Sequence, residues 1–363
     1  MRTVSDRLAR ITRLRSDKAE PVHSRNRLLT LTNFGSNPGA LKAKYYLPKS
    51  LARKPALVVV LHGCTQIPAD YDAGSGWSQM ADEQGFALLY PQQVRDNNGN
   101  LCFNWFLPDD IGRDKGEALS IRQMIETMVS RHKLASERIY VTGLSAGGAM
   151  ANVLLATYPD VFAGGAIIAG LPYATASTVS EAFERMHGHG IPMIRELRAG
   201  LRAASPHSGP WPTLSVWHGT GDSTVAEANA RAIVEQWRGV HDVASALAVT
   251  EAVDGQTRKV WRDADGRDRI ALYTIRDMGH GLPLDVASGY GKSGPYMLDV
   301  GISSTAHIAQ SWRLTRKPAT VRRRKSVAKA PPDRLVPEDR SSSPDDKIRK
   351  VIDYALRAAG LKR

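Results

Sequence analysis

The 363-residue sequence has only two cysteines, Cys64 and Cys102, so a framework of several disulfides cannot hold it together. The two thiols could pair with each other, and the residues leave that question open. Long apolar runs are also missing. The longest spans residues 56–61, which suits one buried strand and is far short of the ~20 residues of a membrane-spanning helix. The sequence therefore predicts a globular chain without a transmembrane segment.

The N-terminus lacks the apolar stretch of about 7–15 residues that a secretory signal requires. Between Met1 and Leu14, arginines alternate with apolar residues, and Leu8, Ile11 and Leu14 fall at helical spacing. That spacing predicts a short basic amphipathic helix. This end of the chain gives no sign of secretion, and the compartment stays open.

Positive charge is concentrated at the two ends of the chain, whose net charge is +13. Residues 1–28 carry eight Lys/Arg against three acids, and residues 313–363 carry sixteen against six. The middle of the chain is close to neutral. Basic tails can adhere to nucleic acid, anionic lipid or acidic polymers, but the core shows no such charge. We therefore interpret the tails as solvated extensions and expect no specific nucleic-acid partner.

Strand-like stretches alternate with helical ones from residue 28 onward. Residues 57–61 are apolar throughout and rich in valine, as expected of a strand buried on both faces of a parallel sheet. The other predicted strands are 28–33, 41–47, 86–90, 138–142, 164–169, 213–217 and, as the last one, 269–275; the predicted helices are 77–84, 117–132, 146–157 and 226–237. This alternation predicts an α/β fold, a mostly parallel sheet flanked by helices, with the active site at the carboxyl ends of the strands.

Composition divides the chain into parts. Residues 1–27 form a basic extension, and residues 28–315 form the predicted catalytic domain. Within that domain, residues 171–212 are rich in glycine and proline, show two short helical patterns, and are expected to form a lid or pocket wall. Residues 316–363 combine a basic linker, expected to be disordered, with an amphipathic helix over 345–361 that we expect to dock on the core.

The strongest chemical signal is Gly143-Leu144-Ser145-Ala146-Gly147, a G-x-S-x-G motif between a predicted strand and a predicted helix. Such a turn is so tight that side chains at the two glycine positions would clash, and it lifts the serine hydroxyl above the sheet. The helix N-terminus behind it adds free N–H groups and the positive end of a helix dipole. Ser145 is the predicted nucleophile.

A serine nucleophile needs a base, because its hydroxyl is barely ionised at neutral pH. In this arrangement the acid and then the histidine follow the serine along the chain. His280, just beyond the predicted strand 269–275, is the predicted base, and Asp222, after the strand 213–217, is the predicted acid that orients it. Alternatives remain at both positions: His218, His241 and His307 for the base, Asp254 and Asp285 for the acid.

The oxyanion formed during attack needs N–H donors. One is expected to be the backbone N–H of Ala146, directly after the nucleophile. The loop of residues 62–66 follows an early strand, and within it we expect the N–H of Cys64 to be the second donor. His187 and His189 form a His-x-His pair, but no third ligand is evident, so no metal site is expected.

Taken in order, several segments resemble the polyhydroxybutyrate depolymerase-type esterases, an α/β-hydrolase family related to feruloyl and acetylxylan esterases. The segments are residues 62–66, 104–106, 143–148, 218–222 and 279–280. The resemblance implies hydrolysis of carboxylic esters through an acyl-enzyme, without a cofactor. It also implies that Trp105 and Gln66 contact the substrate, that Cys64 and Cys102 are bridged, and that the protein acts outside the cell. Because no secretory signal is visible, the cytoplasm is the alternative compartment.

Secreted depolymerases of that family carry a separate polymer-binding domain, whereas residues 313–363 offer one aromatic side chain, Tyr354, to a polymer surface. The expected substrates are therefore hydroxyalkanoate oligomers or related short-acyl esters. A feruloyl or acetyl-polysaccharide esterase is the alternative within the enzyme class. A hypothesis of another class, an inactive hydrolase core that binds partners through its basic tails, is opposed by the intact Ser145, Asp222 and His280. The oligomeric state is left open.

Overall fold

A computed structural model describes residues 27–315 of the chain. The strands are β1 (Leu29–Leu31), β2 (Lys42–Tyr46), β3 (Leu57–Leu61), β4 (Ala87–Gln92), β5 (Ile139–Leu144), β6 (Gly164–Ile168), β7 (Thr213–Gly219), β8 (Val249–Val253), β9 (Gln256–Arg262), β10 (Asp268–Ile275), β11 (Leu282–Leu284) and β12 (Met297–Asp299). The helices are α1 (Pro68–Ser75), α2 (Trp77–Gln84), α3 (Pro108–Ile111), α4 (Gly116–His132), α5 (Ala146–Thr157), α6 (Val179–Met186), α7 (Ile194–Ala203), α8 (Ala228–Arg238) and α9 (Ser304–Ser311). The predicted α/β class is confirmed.

Ten of the strands form one sheet in the order β1-β2-β4-β3-β5-β6-β7-β10-β9-β8. The central strands from β4 to β10 pair in parallel, and the antiparallel pairs lie at the two edges. The loops that follow β3, β5, β7 and β10 therefore leave the same edge of the sheet. This is where an open α/β sheet places its ligand site.

The central strands bury both of their faces. In β3, Leu57, Val59 and Leu61 pack with helices α4, α5 and α8 on one side of the sheet. Val58 and Val60 point to the other side, where they join the residues of α1, α2 and α9. Side chains alternate across a strand, so a strand covered by helices on both faces must be apolar at every position. This explains the unbroken apolar run that predicted the strand.

The last part of the sheet differs from the sequence-based expectation. Strands β8 and β9 were not predicted, because they lie at the sheet edge and carry polar residues. Glu251 on β8 forms ion pairs with Arg258 and Arg262 on β9, and both arginines also pair with Asp268 on β10. These contacts join side chains on neighbouring strands, and the periodicity within a single strand does not indicate such pairs. They are visible only after the strands are paired.

The prediction that residues 269–275 form the last strand was wrong. Two further strands, β11 and β12, pair in parallel as a separate two-stranded sheet. Each has three residues, too few to show an alternating pattern. Helix α1 was also not predicted, whereas α2 and α5 have the predicted bounds. The amphipathic helices expected within residues 1–14 and 345–361 lie outside the described residues.

Candidate active site

Ser145 stands between the end of β5 and the start of α5, with backbone angles φ 58° and ψ −121°. A positive φ is unfavourable for a residue with a side chain, and such strain is often found at functional sites. Its N–H donates to the carbonyl oxygen of Ile168 on the neighbouring strand at 2.9 Å, which fixes the turn against the sheet. The sequence motif is therefore a sharp strand-to-helix turn that exposes the serine at the sheet edge.

The glycines of the motif are required by close backbone approach. A Cβ on Gly143 would lie 2.4 Å from the carbonyl oxygen of Gly147. A Cβ on Gly147 would lie 2.4 Å from the carbonyl oxygens of both Leu61 and His62. The clash expected at both glycine positions is thus present, and it shows that the turn packs directly against the end of β3.

Asp222 and His280 meet at the same edge. His280 Nδ1 donates to Asp222 Oδ2 at 2.8 Å, and both side chains are almost completely buried. Asp222 Oδ1 accepts the backbone N–H groups of Thr224 at 2.9 Å and Val225 at 2.8 Å. Burial alone would raise the pKa of the Asp222 carboxyl, but the bond from His280 and the N–H of Val225 hold it below its ordinary value. Asp222 is therefore an ionised, fixed partner for the imidazole.

Ser145 reaches this edge from β5, two strands away from β7. Among the hydrogen bonds of residues 27–315, none joins Ser145 Oγ to His280. Hydrogen bonds of this kind are often long before substrate binds and shorten in the reacting complex. The structure joins Asp222 and His280 by a hydrogen bond and brings the predicted nucleophile to the same edge.

The alternative acids have other roles. Asp254 Oδ2 pairs with His307 Nε2 at 2.7 Å in the turn between β8 and β9. Asp285 caps the short 3₁₀ helix Val286–Ser288 by accepting the N–H of Ala287. Neither carboxylate contacts His280.

The alternative base His218 lies beside the acid and contacts a backbone carbonyl. Its Nε2 is 2.8 Å from the carbonyl oxygen of Val225 and 3.5 Å from Asp222 Oδ2. Burial lowers the pKa of His218 and favours its neutral form. His241, another alternative, also has its pKa lowered by burial, to about 4. Both are held as neutral side chains.

The loop of residues 62–66, called the oxyanion loop below, lies against the nucleophile. A Cβ on Gly63 would be 3.6 Å from the Cβ of Ser145. The N–H groups of Cys64 and Ala146, the two expected donors, have no acceptor among the hydrogen bonds of the described residues. Two N–H groups flanking the serine in this way suit an oxyanion hole.

Gln66, predicted to contact the substrate, is bonded within the oxyanion loop. Its side-chain oxygen accepts the N–H of Gly63 at 2.9 Å, which closes the oxyanion loop on itself. It is absent from the described residues that line the cleft. The sequence alone does not show this bond, because it depends on the path of the backbone between Gly63 and Gln66.

Cys64 and Cys102 form a disulfide bond. It joins the oxyanion loop to residues 97–106, which we call the cleft loop. A second contact connects the same loops, since the N–H of Thr65 donates to the carbonyl oxygen of Asn100 at 2.7 Å. The disulfide therefore lies in the wall of the site.

A cleft of about 380 Å³ opens beside Ser145 and Ala146. Its walls are mainly apolar, and no charged side chain lines it within the described part of the chain. The cleft loop contributes one wall and α6 another. The apolar lining residues include Trp105, Phe106, Leu171, Val179, Ala182, Phe183, Met186 and Val225.

The sequence reasoning missed the apolar face of α6. Val179, Ala182, Phe183 and Met186 recur at the spacing of one helical face, a pattern that was available in the sequence. His187 and His189, just after this helix, do not converge on a common point. His187 Nδ1 contacts the carbonyl oxygen of Phe183, and His189 Nδ1 lies 3.3 Å from Glu184 Oε2.

Comparison with known proteins identifies the family. The model of the Esterase PHB depolymerase family matches residues 41–260, more than half of the chain. The chain belongs to the PHB depolymerase esterase family. Poly(3-hydroxyalkanoate) depolymerase C of Paucimonas lemoignei is 44% identical over 288 residues, covering 78% of this chain and 69% of that protein. The resemblance found in the sequence is confirmed.

Other relatives of this PHB depolymerase-type esterase are named as esterases of other substrates. Feruloyl esterase B of Talaromyces stipitatus is 33% identical over 72% of this chain and 74% of that protein. Acetylxylan esterase of Coprinopsis cinerea is 30% identical over 70% of this chain and 69% of that protein. The solved structure of acetyl xylan esterase from Aspergillus awamori covers 79% of this chain and 99% of that chain, with a TM-score of 0.68 and 23% identity, and shows the same fold.

The prediction of a carboxylic ester hydrolase is therefore confirmed. The chain is a serine esterase, and its substrates are carboxylic esters. Within residues 27–315, no helix has both the length and the apolar character needed to cross a membrane.

Proposed function

We propose that this esterase hydrolyses short hydroxyalkanoate oligomers or related short-acyl esters, with Ser145, Asp222 and His280 as its catalytic residues. The observation that carries the proposal is the 2.8 Å bond from buried His280 to buried Asp222, at the sheet edge where Ser145 occupies a strained turn. The 44% identity to a poly(3-hydroxyalkanoate) depolymerase supports the substrate class.

The proposed mechanism follows from these positions. Ser145 Oγ attacks the ester carbonyl carbon while His280 Nε2 accepts its proton, and Asp222 stabilises the imidazolium through Nδ1. The N–H groups of Cys64 and Ala146 hold the oxyanion. When the tetrahedral intermediate collapses, His280 gives the proton to the leaving alkoxide, and an acyl-enzyme remains. His280 then deprotonates a water molecule that attacks the acyl-enzyme and forms a second tetrahedral intermediate. When this intermediate collapses, the acid is released and His280 returns the proton to Ser145 Oγ.

The cleft supports a neutral, aliphatic acyl group. Its apolar walls favour burial of short alkyl chains, and its uncharged lining provides no cation to retain the carboxylate product. Asn97, Asn98 and Asn100 supply polar contacts along the cleft loop. Such groups suit the ester and hydroxyl oxygens of a hydroxyalkanoate.

We also propose that residues 28–315 act as one catalytic domain in which the insertion 171–212 is the pocket wall. This is supported by Leu171 and the apolar face of α6, which line the cleft. The insertion is tied to the Asp222 loop, because the N–H of Ala226 donates to the carbonyl oxygen of Met186 at 2.7 Å.

Replacement of Ser145 by alanine tests the function. We expect Ser145→Ala to lose turnover of p-nitrophenyl butyrate, because no other hydroxyl lies on the described turn. Ser136→Ala, which changes an exposed serine before β5, is the control and should keep the wild-type rate. Wild-type turnover by Ser145→Ala would refute the mechanism.

The substrate class is tested separately. Hydrolysis of a 3-hydroxybutyrate trimer is compared with hydrolysis of methyl ferulate, since feruloyl esterases are among the relatives. We expect a higher kcat/KM for the trimer. A preference for methyl ferulate would replace the proposed substrate class and leave the esterase mechanism in place.

A further inference from the structure

Glu117 is a fully buried carboxyl group outside the three proposed catalytic residues. It is the second residue of α4. Burial and the nearby carboxylate of Asp110 raise the pKa of Glu117, whereas the bonds from Asn104 and Gln93 lower it. Burying an acid is costly unless its oxygens are well bonded. Its side-chain oxygens are bonded by Asn104 of the cleft loop and by Gln93, the residue after β4.

The first partner fixes the cleft loop. Glu117 Oε2 accepts the backbone N–H of Asn104 at 2.9 Å, directly before Trp105 in the cleft wall. Glu117 Oε1 accepts the side-chain amide of Gln93, the residue after β4. That same amide nitrogen donates to the carbonyl oxygen of Cys102 at 3.1 Å. Glu117 thus holds the cleft loop directly at Asn104 and, through Gln93, at Cys102.

The second connection leads to the oxyanion loop. The backbone N–H of Gln93 donates to His62 Nε2 at 3.2 Å, so the proton of the neutral imidazole is on Nδ1. Burial lowers the pKa of His62 to about 4, which keeps the ring neutral at pH 7. His62 Nδ1 then donates to the carbonyl oxygen of Gly63 at 2.8 Å.

The carbonyl of Gly63 and the N–H of Cys64 belong to one planar peptide unit. A hydrogen bond to the carbonyl fixes the plane of that unit and polarises its N–H, because bonds in a chain strengthen one another. The orientation of the Cys64 N–H, the proposed oxyanion donor, is therefore fixed by the bond from His62 to the carbonyl of Gly63. His62 is held in turn by Gln93, and Gln93 by Glu117.

We propose that Glu117 is a positioning residue for the oxyanion hole, acting through Gln93 and His62 on the Gly63–Cys64 peptide. This inference rests on the proposed function, since it takes the N–H of Cys64 as an oxyanion donor. Asp110 of α3 is the charged neighbour of Glu117. It accepts the N–H of Glu117 and the side-chain amide of Asn104, both at 3.2 Å, and completes the junction.

Glu117→Gln tests the proposal, since it keeps the size of the side chain but leaves one acceptor oxygen for two donors. We expect kcat on p-nitrophenyl butyrate to fall about 10–100-fold with KM nearly unchanged, because removing an oxyanion donor outright costs about 10²–10³. A trifluoromethyl ketone forms a tetrahedral adduct whose oxyanion occupies the same hole, so its affinity should fall by the same factor. Wild-type kcat, or a lower kcat with unchanged ketone affinity, would overturn the proposal.

The reciprocal variant carrying Gln93→Glu and Glu117→Gln exchanges donor and acceptor and restores the link. It should recover most of the lost kcat, and no recovery would count against the proposal. Thr157→Val is the matched control, because it removes a buried bond to the carbonyl oxygen of Val153 at the far end of α5. It should keep the wild-type kcat and ketone affinity.

Should Glu117→Gln fail to fold, Gln93→Met tests the same link while leaving the bond from Asn104 in place. It should show the same paired losses of kcat and ketone affinity, and wild-type values in the folded variant would overturn the proposal. The proposed function fails by a different result, namely a wild-type protein that does not bind the ketone.

Discussion

The disulfide between Cys64 and Cys102 links the oxyanion loop to the cleft loop, and its removal has a calculable cost. The two cysteines are 38 residues apart in the sequence. The closed loop contains α1, α2 and β4, so its closure restricts a long segment of the unfolded chain. Replacing both cysteines by serine removes this restriction.

The magnitude follows from the loop length. In the chain-entropy model, closing a loop of this size removes about 13 cal/mol/K from the unfolded state, which is about 4 kcal/mol at 25 °C. The native loops keep other contacts. Thr65 still bonds Asn100, and the Gln93 amide still bonds the backbone of residue 102. We expect the variant to lose about 4 kcal/mol of unfolding free energy and, while folded, to keep most of its kcat.

Urea unfolding followed by tryptophan fluorescence measures the free energy, and p-nitrophenyl butyrate hydrolysis below the transition measures activity. Dithiothreitol should lower the stability of the wild-type protein to that of the variant. The same reagent added to the variant is the control and should have no effect. A loss of less than about 1 kcal/mol, against the expected 4, would refute the reasoning from loop closure.

Three further predictions concern packing, specificity and pH. Gly147→Ala places a Cβ 2.4 Å from the carbonyl oxygen of His62, so the turn must shift and kcat should fall about 100-fold. Gly200→Ala is the control, because its Cβ would meet open space. Equal kcat values in the two variants would contradict the clash. Phe183→Ala enlarges the cleft and should raise several-fold the ratio of kcat/KM for p-nitrophenyl octanoate to kcat/KM for p-nitrophenyl butyrate. Glu184→Ala, at the exposed neighbouring residue, should leave this ratio unchanged. An unchanged ratio in Phe183→Ala would show that α6 is not a wall of the acyl site. Burial lowers the pKa of His62 to about 4, so His62 is protonated in the unfolded chain at a higher pH than in the native state, and the free energy of unfolding falls by about 3 kcal/mol as pH falls from 6.5 to 4. Urea titrations across that range should show a smaller loss of unfolding free energy in His62→Gln. The same pH dependence in both proteins would show that His62 is not the cause.

The local motifs of the sequence determined the elements of the site that depend on consecutive residues. The Gly143–Gly147 turn needs glycine because a Cβ at either end would lie 2.4 Å from a backbone carbonyl oxygen, and the five-residue motif predicted this tight turn. The fully apolar β3 had to be a strand covered on both faces. Ser145, Asp222 and His280 were predicted because each follows a predicted strand, and parallel strands end at one edge.

Tertiary structure alone decided which partners those residues have. Asp254 and Asp285 were acceptable acids in the sequence, and only strand pairing and loop paths show that Asp222 meets His280. The bond between Gln66 and the N–H of Gly63 was not predicted. The bonds of Glu117 to Asn104 and Gln93 join residues 13 and 24 positions apart in the chain. The ion pairs among β8, β9 and β10 form only once these strands are paired. A sequence pattern records the local preference of each residue, whereas the partner of a buried polar group is set by which segments the fold brings together.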